Sequence, residues 1–527
     1  MKFKTKHVDQ LRKIFDNNLQ KILLIDAESG LQLTYKEFLE DSLCLALYLK
    51  SNGVEKNDHV AFSAENSIHL AILYFAVWHC EALVIPINPQ LHPDDIVLIL
   101  EDCQPSFCFF DPFVYESVRH DKYIESMRER VYCFSPESSE LHNSKAKNIN
   151  FSVSEVIEKN DNSSSVNMLG NSEDESVFLR IYTSGTTSRP KGIDITYKGL
   201  IGNELAFGKK LEIGSENRFY NILPMCYLGG IHNLLLLPIV NGSSIVMGKP
   251  LAGAALYGFW DTVRERKINT LWFTSAMLNM LMSLRDDDDM CYLKDQIILG
   301  LVGMAPLLPE VKVNFEERFG FKLYENYALS ETAFLTTNYP GLEYRKGSCG
   351  DVLPGVNVEI VDENGTSLPD GDVGQIKVKS EYFMKGYVNV SEEDSSSITS
   401  DGFLTGDLGY LDGGELFPTG RAKDLIIRGG LNISPASVEK AIYNHPAVEL
   451  AAVVGIPHDI YGEEVAGVVT LKSSVEGKIS SADIMSICND HLAQFQRPKL
   501  IQIIDVMPLG ATGKIDKKQV KQLLIEN

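Results

Sequence analysis

Tyr182-Thr183-Ser184-Gly185-Thr186-Thr187-Ser188-Arg189-Pro190-Lys191-Gly192 is the stretch whose reading decides the fold. It follows Val177-Phe178-Leu179-Arg180-Ile181, an apolar run that reads as a buried strand, so the hydroxyl-rich segment emerges as a loop at a strand end. Thr183, Ser184, Thr186, Thr187 and Ser188 crowd around Gly185, and a proline and Lys191 follow. This composition suits a polyphosphate cradle. Hydroxyl and backbone N–H groups donate to phosphate oxygens, Gly185 lets the chain bend close to the ligand, and Lys191 brings positive charge. The P-loop pattern G-x-x-x-x-G-K-[ST] does not fit, because the lysine after Gly185 stands at the wrong offset and is followed by glycine. A solvated Ser/Thr turn is the plainer alternative for the loop taken alone.

On the N-terminal side, Glu37-Phe38-Leu39 opens a helix with apolar Leu43, Leu45, Ala46 and Leu49 at helical spacing, ended by Gly53. A strand at His59 to Phe62, a helix at Leu70 to Cys80, a strand at Leu83 to Pro86 and a helix from Pro93 to Leu100 follow. Alternation of this kind predicts an α/β layer on a mostly parallel sheet. Residues 136 to 175 shift to Ser, Asn, Glu and Lys and read as a flexible connector.

Beyond the loop a second αβ half is expected, with strands at Ser244 to Met247 and Thr270 to Phe273 and a helix at Ser275 to Leu284. Asp286 to Asp289 read as a solvated acidic run. From Gly355 onward, Val358 to Val361 and Gly374 to Val378 alternate between Glu-Asn-Gly and Pro-Asp-Gly turns, which reads as a small β-rich subdomain. Past Arg421 the pattern changes again. Helices at Ser437 to Asn444 and Ser481 to Leu492 and strands at Leu450 to Gly455 and Gly467 to Leu471 mark a further domain.

The chain has 527 residues, too many for one core. A net charge of −22 without a basic stripe argues against general nucleic-acid binding. The nine cysteines are scattered and form no CxxC pair, which suits reduced thiols and a cytoplasmic protein. The basic start lacks an apolar core, and the apolar stretch Leu70 to Ile87 contains His79, Glu81 and Pro86, so neither a signal peptide nor a membrane span is expected.

With the loop and these segments in view, the chain resembles the acyl-adenylate-forming family of acyl-CoA synthetases, peptide-synthetase adenylation domains and firefly-type luciferases, and most resembles the acyl-CoA synthetases. Matching segments run from about Leu33 to Ile515 and include Val-Ile-Pro-Ile-Asn-Pro at 84–89. The resemblance implies an N-terminal domain over 1–422, with two αβ layers and the β-rich subdomain, and a smaller mobile α+β domain over 423–527. It implies that Thr183, Ser184, Gly185, Thr186, Thr187 and Lys191 hold ATP phosphates. Met304, Ala305, Pro306, Asn326 and Tyr327 form the adenine wall, with Tyr327 stacking on the purine.

The same resemblance makes Glu331, beside Ser330, the carboxylate for Mg2+. Asp407 accepts the ribose hydroxyls side by side and Arg421 is the second ribose contact. Lys514 is the adenylation lysine, a cation that stabilises charge gathered at the α-phosphorus. Lys423 takes the hinge position, and Gly429 and Gly430 let a pantetheine arm pass close to backbone. Tyr227, His232, Asn233, Gly303, Met304, Asn326 and Ala328 line the acid pocket.

Ser188 departs from the family's glycine, Ala328 replaces the glycine of Y-G-x-T-E, and Tyr227 stands where many relatives place histidine. No aspartate occupies the position that holds an α-amine, so a plain carboxylic acid is expected. The implied activity is ATP-dependent formation of acyl-AMP and transfer to a thiol, with coenzyme A as first acceptor. A carrier-protein phosphopantetheine arm is the alternative within the class, and a non-catalytic adenylate-binding protein the alternative outside it.

Overall fold

The structure, a computed structural model, describes residues 6–135, 150–153, 156–157, 173–183, 191–251, 253–284, 292–389, 397–399, 401–472, 479–510 and 515–526. The chain divides into two compact units. One comprises Met1–Glu343, Leu353–Asn357 and Ser380–Ser396, and the other Tyr344–Val352, Val358–Lys379 and Ser397–Asn527. The α/β class read from the sequence is the class observed.

The first unit holds two predominantly parallel arrays. In one, the strands Leu323–Leu329, Leu299–Val302, Thr270–Phe273, Arg218–Asn221, Ser244–Met247 and Ile22–Asp26 lie side by side and parallel. Ala333–Thr337 joins Leu323–Leu329 antiparallel, and Gln32–Thr34 joins Ile22–Asp26 antiparallel at the other side. In the second, Val177–Thr183, Leu83–Pro86, His59–Ser63, Phe107–Phe110, Val131–Ser135 and Asn150–Ser152 run parallel.

Fully apolar strands such as Phe107-Cys108-Phe109-Phe110 are what a sheet covered on both faces requires. One core gathers Trp272, Phe273, Phe207, Phe334 and Leu301, and another gathers Ile85, Phe110, Leu100 and Val114. Helix starts follow local chemistry. Thr34 and Glu37 form a capping box, with N–H to side-chain bonds of 3.2 and 2.7 Å, while Ser67 and Thr274 cap their helices through Leu70 and Met277.

The helix Ile68–His79 is buried on nearly every face and is only 12 residues long, so its continuous hydrophobicity marks a core element. Among the described residues, no helix is long and apolar enough to cross a membrane. The segment read as a connector contains the short strand Asn150–Ser152, paired with Val131–Ser135, because a sheet edge can recruit backbone without an apolar run. Residues 136–149, 154–155 and 158–172 of that segment, and the acidic run at 286–289, lie outside the described residues.

In the second unit, Gly402–Asp412 pairs antiparallel with Glu415–Arg421 and with Gly374–Ser380, which gives the expected β-rich part. Further along, Val448–His458 pairs antiparallel with Gly462–Leu471, to which Leu500–Ile503 adds in parallel. Period-two alternation puts Ala451 and Val453 in one core with Val438, Ile442 and Ile484. It puts Ala452 and Val454 in another with Val520 and Leu524. This sheet is therefore covered by helices on both faces.

Candidate active site

The strand leading into the hydroxyl-rich loop returns as Lys191–Thr196, and the two form a hairpin with Thr183 opposite Lys191 and Tyr182 opposite Gly192. Residues 184–190, including Ser184, Gly185, Thr186, Thr187 and Ser188, lie outside the described residues. The hairpin carrying them is stiffened by the cross-strand pair Arg180 and Asp194, whose two bonds measure 2.6 and 3.0 Å in a bidentate arrangement. At its upper end the Tyr182 hydroxyl donates to Asp102 at 2.6 Å, and burial pushes the phenol above its ordinary pKa.

Sites in open α/β sheets form at the carboxyl ends of parallel strands. At that end Leu299–Val302 runs into Gly303 and Met304, and Leu323–Leu329 carries Asn326 and Tyr327. The Asn326 amide donates to the Val302 carbonyl at 2.8 Å, and a Cβ at Gly303 would collide with the Asn326 carboxamide. Met304 adopts φ +69°, and Ser275 donates to the Pro306 carbonyl at 2.7 Å. Gly303 and Asn326 are thus in contact, with Met304, Ala305 and Pro306 following the one and Tyr327 the other in the chain.

Ala328 follows a bulge in the strand and faces Phe334 across the antiparallel ladder. Ser330 and Glu331 lie in the turn that follows. Glu331 is partly exposed, and its carboxylate accepts a hydrogen bond from the Tyr387 hydroxyl at 2.9 Å.

A second segment, Leu223 to Gly230, lies against Met304, since a Cβ on Gly229 would be 2.8 Å from its sulfur. Asn66 holds it by donating to the Leu223 carbonyl at 2.9 Å and accepting from the Met225 N–H at 2.8 Å. Asn88 donates to the Tyr227 hydroxyl at 2.9 Å, and burial raises that phenol's pKa.

His232 follows on the π-helical segment Gly229–Leu236, buried with its Nε2 3.0 Å from Glu204 Oε1. Neither atom makes a hydrogen bond of good direction, so proximity rather than a formed ion pair describes the contact. Burial pushes the His232 pKa down to about 3, so the imidazole is neutral near pH 7, and it raises the Glu204 carboxyl well above its usual range. Sequence reading named His232 and Asn233 but missed Glu204 and Tyr387. Asn88 stood inside the quoted 84–89 segment without being singled out.

In the second unit Asp407 and Arg421 are cross-strand partners, with Arg421 Nε 3.2 Å from Asp407 Oδ1. Thr405 fixes the approach, accepting from the Asp407 N–H at 3.1 Å and donating to the Ile376 carbonyl at 2.9 Å. Lys423 sits in the tight turn Ala422–Asp424. Gly429 and Gly430 form a hairpin tip with φ of +58° and +82°, a backbone that favours glycine. Lys514 lies outside the described residues, while Leu509 and Ile515 pair antiparallel.

A divalent cation fits the donor set only as a ligand shared with substrate. Among the described residues, no cluster of three or more His, Cys, Asp or Glu side chains could hold a metal unaided, and no Lys or Arg ion-pairs with Glu331. One carboxylate plus phosphate oxygens is the coordination that Mg2+ commonly accepts. The eight described cysteines are free thiols.

With these arrangements in view, residues 12–388 match the model of the AMP-binding enzyme family, and residues 437–514 match that of the AMP-binding enzyme C-terminal domain. The chain belongs to the AMP-binding enzyme family and is an AMP-forming carboxylate–thiol ligase of the acyl-CoA synthetase type. Such an enzyme uses ATP to convert a carboxylic acid to its acyl-AMP and then passes the acyl group to a thiol.

The chain is 28% identical to the sulfoacetate–CoA ligase of Cupriavidus necator, covering 94% of both chains. It is 28% identical to the long-chain-fatty-acid–CoA ligase of Bacillus subtilis, covering 94% of this chain and 91% of that one. Its fold is similar to that of ATP-bound MatB from Rhodopseudomonas palustris, with TM-score 0.87 and 24% identity over 98% of this chain and 99% of that one.

Proposed function

We propose that the enzyme activates a plain carboxylic acid lacking an α-amino group and transfers it to coenzyme A. CoA-ligase relatives such as the sulfoacetate and long-chain-fatty-acid enzymes support this choice of acceptor. The single observation that carries the reading is the contact of Gly303 with Asn326 at the carboxyl ends of neighbouring parallel strands, with Tyr327 next in the chain and Glu331 in the turn that follows.

In this proposal Thr183, Ser184, Gly185, Thr186, Thr187 and Lys191 bind the phosphates, Tyr327 stacks on the adenine, and Asp407 and Arg421 take the ribose. Glu331, beside Ser330, would hold Mg2+ together with phosphate oxygens, and the ion would offset phosphate charge. The acid's carboxylate oxygen attacks the α-phosphorus, the bond to the β-phosphate oxygen breaks, and pyrophosphate leaves. Lys514 stabilises the charge that gathers at the phosphorus. The thiol sulfur then attacks the acyl carbon, AMP leaves, and the thiol proton passes to solvent.

Lys423 is the hinge at the start of a mobile domain over 423–527, and Gly429 and Gly430 border the pantetheine path. Tyr227, His232, Asn233, Gly303 and Ala328 shape the acid pocket. The free thiols suit a cytoplasmic setting. The test is pyrophosphate release over a panel of short aliphatic, long aliphatic and aromatic acids, with and without CoA. Lys514→Ala should abolish acid-dependent release while ATP still binds. Unchanged release would remove that role from Lys514. Thioester formation on a carrier-protein arm but not on CoA would favour the alternative acceptor.

A further inference from the structure

Glu331 is gripped twice by one short segment far along the chain. The Tyr387 hydroxyl donates to its carboxylate at 2.9 Å, and the Met384 N–H donates to its backbone carbonyl at 2.9 Å. The same segment forms the strand Gly386–Val388, which pairs with the return strand of the phosphate hairpin. Gly386 lies opposite Asp194, Tyr387 opposite Ile193 and Val388 opposite Gly192, one residue beyond Lys191. Asn389 then reaches Asp102 at 3.2 Å, the carboxylate that also receives the Tyr182 hydroxyl from the outgoing strand. Residues 384–389 therefore bind the carboxylate turn on one side and both strands of the hairpin, one directly and one through Asp102.

We infer that Tyr387 is a positioning residue for the nucleotide-linked cation: its phenol fixes the orientation of the Glu331 carboxylate relative to the base of the phosphate loop. This rests on the reading of Glu331 proposed above. A partly exposed glutamate in a turn has several rotamers, and a metal-bound oxygen must be held in one of them. A phenol O–H donating to one carboxylate oxygen selects the rotamer and leaves the second oxygen's lone pairs to be directed by the same plane. Groups that orient a ligating carboxylate typically change metal affinity by about 10- to 100-fold when removed.

The test measures ATP affinity by calorimetry without acid, once with Mg2+ and once with EDTA, for the full chain and for Tyr387→Phe, Glu331→Gln, the double variant and Asn389→Ala. The ratio of the two affinities is the metal-linked gain. Tyr387→Phe should cut that gain by about tenfold, leave the EDTA affinity unchanged, and add little on top of Glu331→Gln. Asn389→Ala loosens the same segment without touching Glu331 and should leave the gain intact.

If Glu331→Gln lowers the gain while Tyr387→Phe does not, or if the two losses multiply independently, the positioning role is wrong. An equal loss in Asn389→Ala would also overturn it, since general loosening would then suffice. If Glu331→Gln leaves the gain unchanged, the metal reading itself fails and this inference falls with it. Thermal melting of each variant separates any of these results from unfolding.

Discussion

Replacing Asp407 by asparagine isolates the proposed ribose contact. Asp407 is buried and Arg421 Nε sits 3.2 Å from its Oδ1, while the Arg421 side chain is 48% exposed. At that exposure the ion pair contributes about 1 kcal/mol or less to folding, so Asp407→Asn should melt close to the parent. Binding is another matter. A carboxylate accepts one charge-assisted bond from each ribose hydroxyl, and each such bond is worth about 1.5–3 kcal/mol. An amide retains one acceptor oxygen and presents an NH2 donor where the other stood.

Losing one charge-assisted bond corresponds to about a 10- to 150-fold weaker affinity for ATP. The assay is calorimetric binding of ATP and of 2′,3′-dideoxy-ATP to both proteins. The parent should prefer ATP, and Asp407→Asn, which keeps one acceptor oxygen, should narrow that preference by about tenfold or more. An Asp407→Asn protein that keeps the full preference for ATP would refute the ribose assignment.

Glu204→Gln tests the buried pair of Glu204 and His232. The folded protein holds Glu204 protonated above the pH at which the unfolded chain ionises it, so wild-type stability should fall as pH rises above about 4.5. His232, pushed down to about 3, works oppositely, contributing stability above about 6.5 that is lost as pH falls toward 3. Glutamine removes only the first dependence. Its melting temperature should therefore rise relative to wild type between pH 5 and 8, and a constant difference over that range would show that Glu204 is not held neutral. Gly303→Ala places a Cβ against the Asn326 carboxamide and should cost about 1–3 kcal/mol in stability or displace that side chain, lowering acid-dependent pyrophosphate release. Wild-type melting together with wild-type release would contradict the close contact. Gly430→Trp should spare adenylation and block thioester formation, as seen by separate pyrophosphate and thioester assays, and equal loss of both steps would contradict a pantetheine path beside that turn.

Much of the fold is legible because its strands are short apolar runs bounded by clear breakers. Ser244–Met247 and Thr270–Phe273 have the ends read from the sequence, since a buried parallel strand leaves little choice of residue. The helix read from Leu70 begins two residues earlier, at Ile68, because Ser67 supplies the cap. The return strand Lys191–Thr196 was harder to read. Pro190-Lys191-Gly192 carries loop chemistry, and its pairing depends on a partner strand across the loop.

The site divides in the same way. Asn326, Tyr327 and Glu331 are close in sequence and carry their chemistry in a local motif. Tyr387 reaches Glu331 across a separation of 56 residues, and Glu204 meets His232 only through the packing of two segments that each look like ordinary helix starts. Such contacts are set by tertiary packing, which neither periodicity nor turn chemistry encodes.

The most direct measurement is phosphorus NMR of a reaction containing the purified chain, ATP, Mg2+, CoA and the acid that scores highest in the panel. AMP and pyrophosphate are expected to appear in equal amounts, matched by acyl thioester, and to stop when the acid is withheld. ADP and inorganic phosphate in their place, or AMP formed without any acid, would contradict the assignment of this chain as an adenylating ligase.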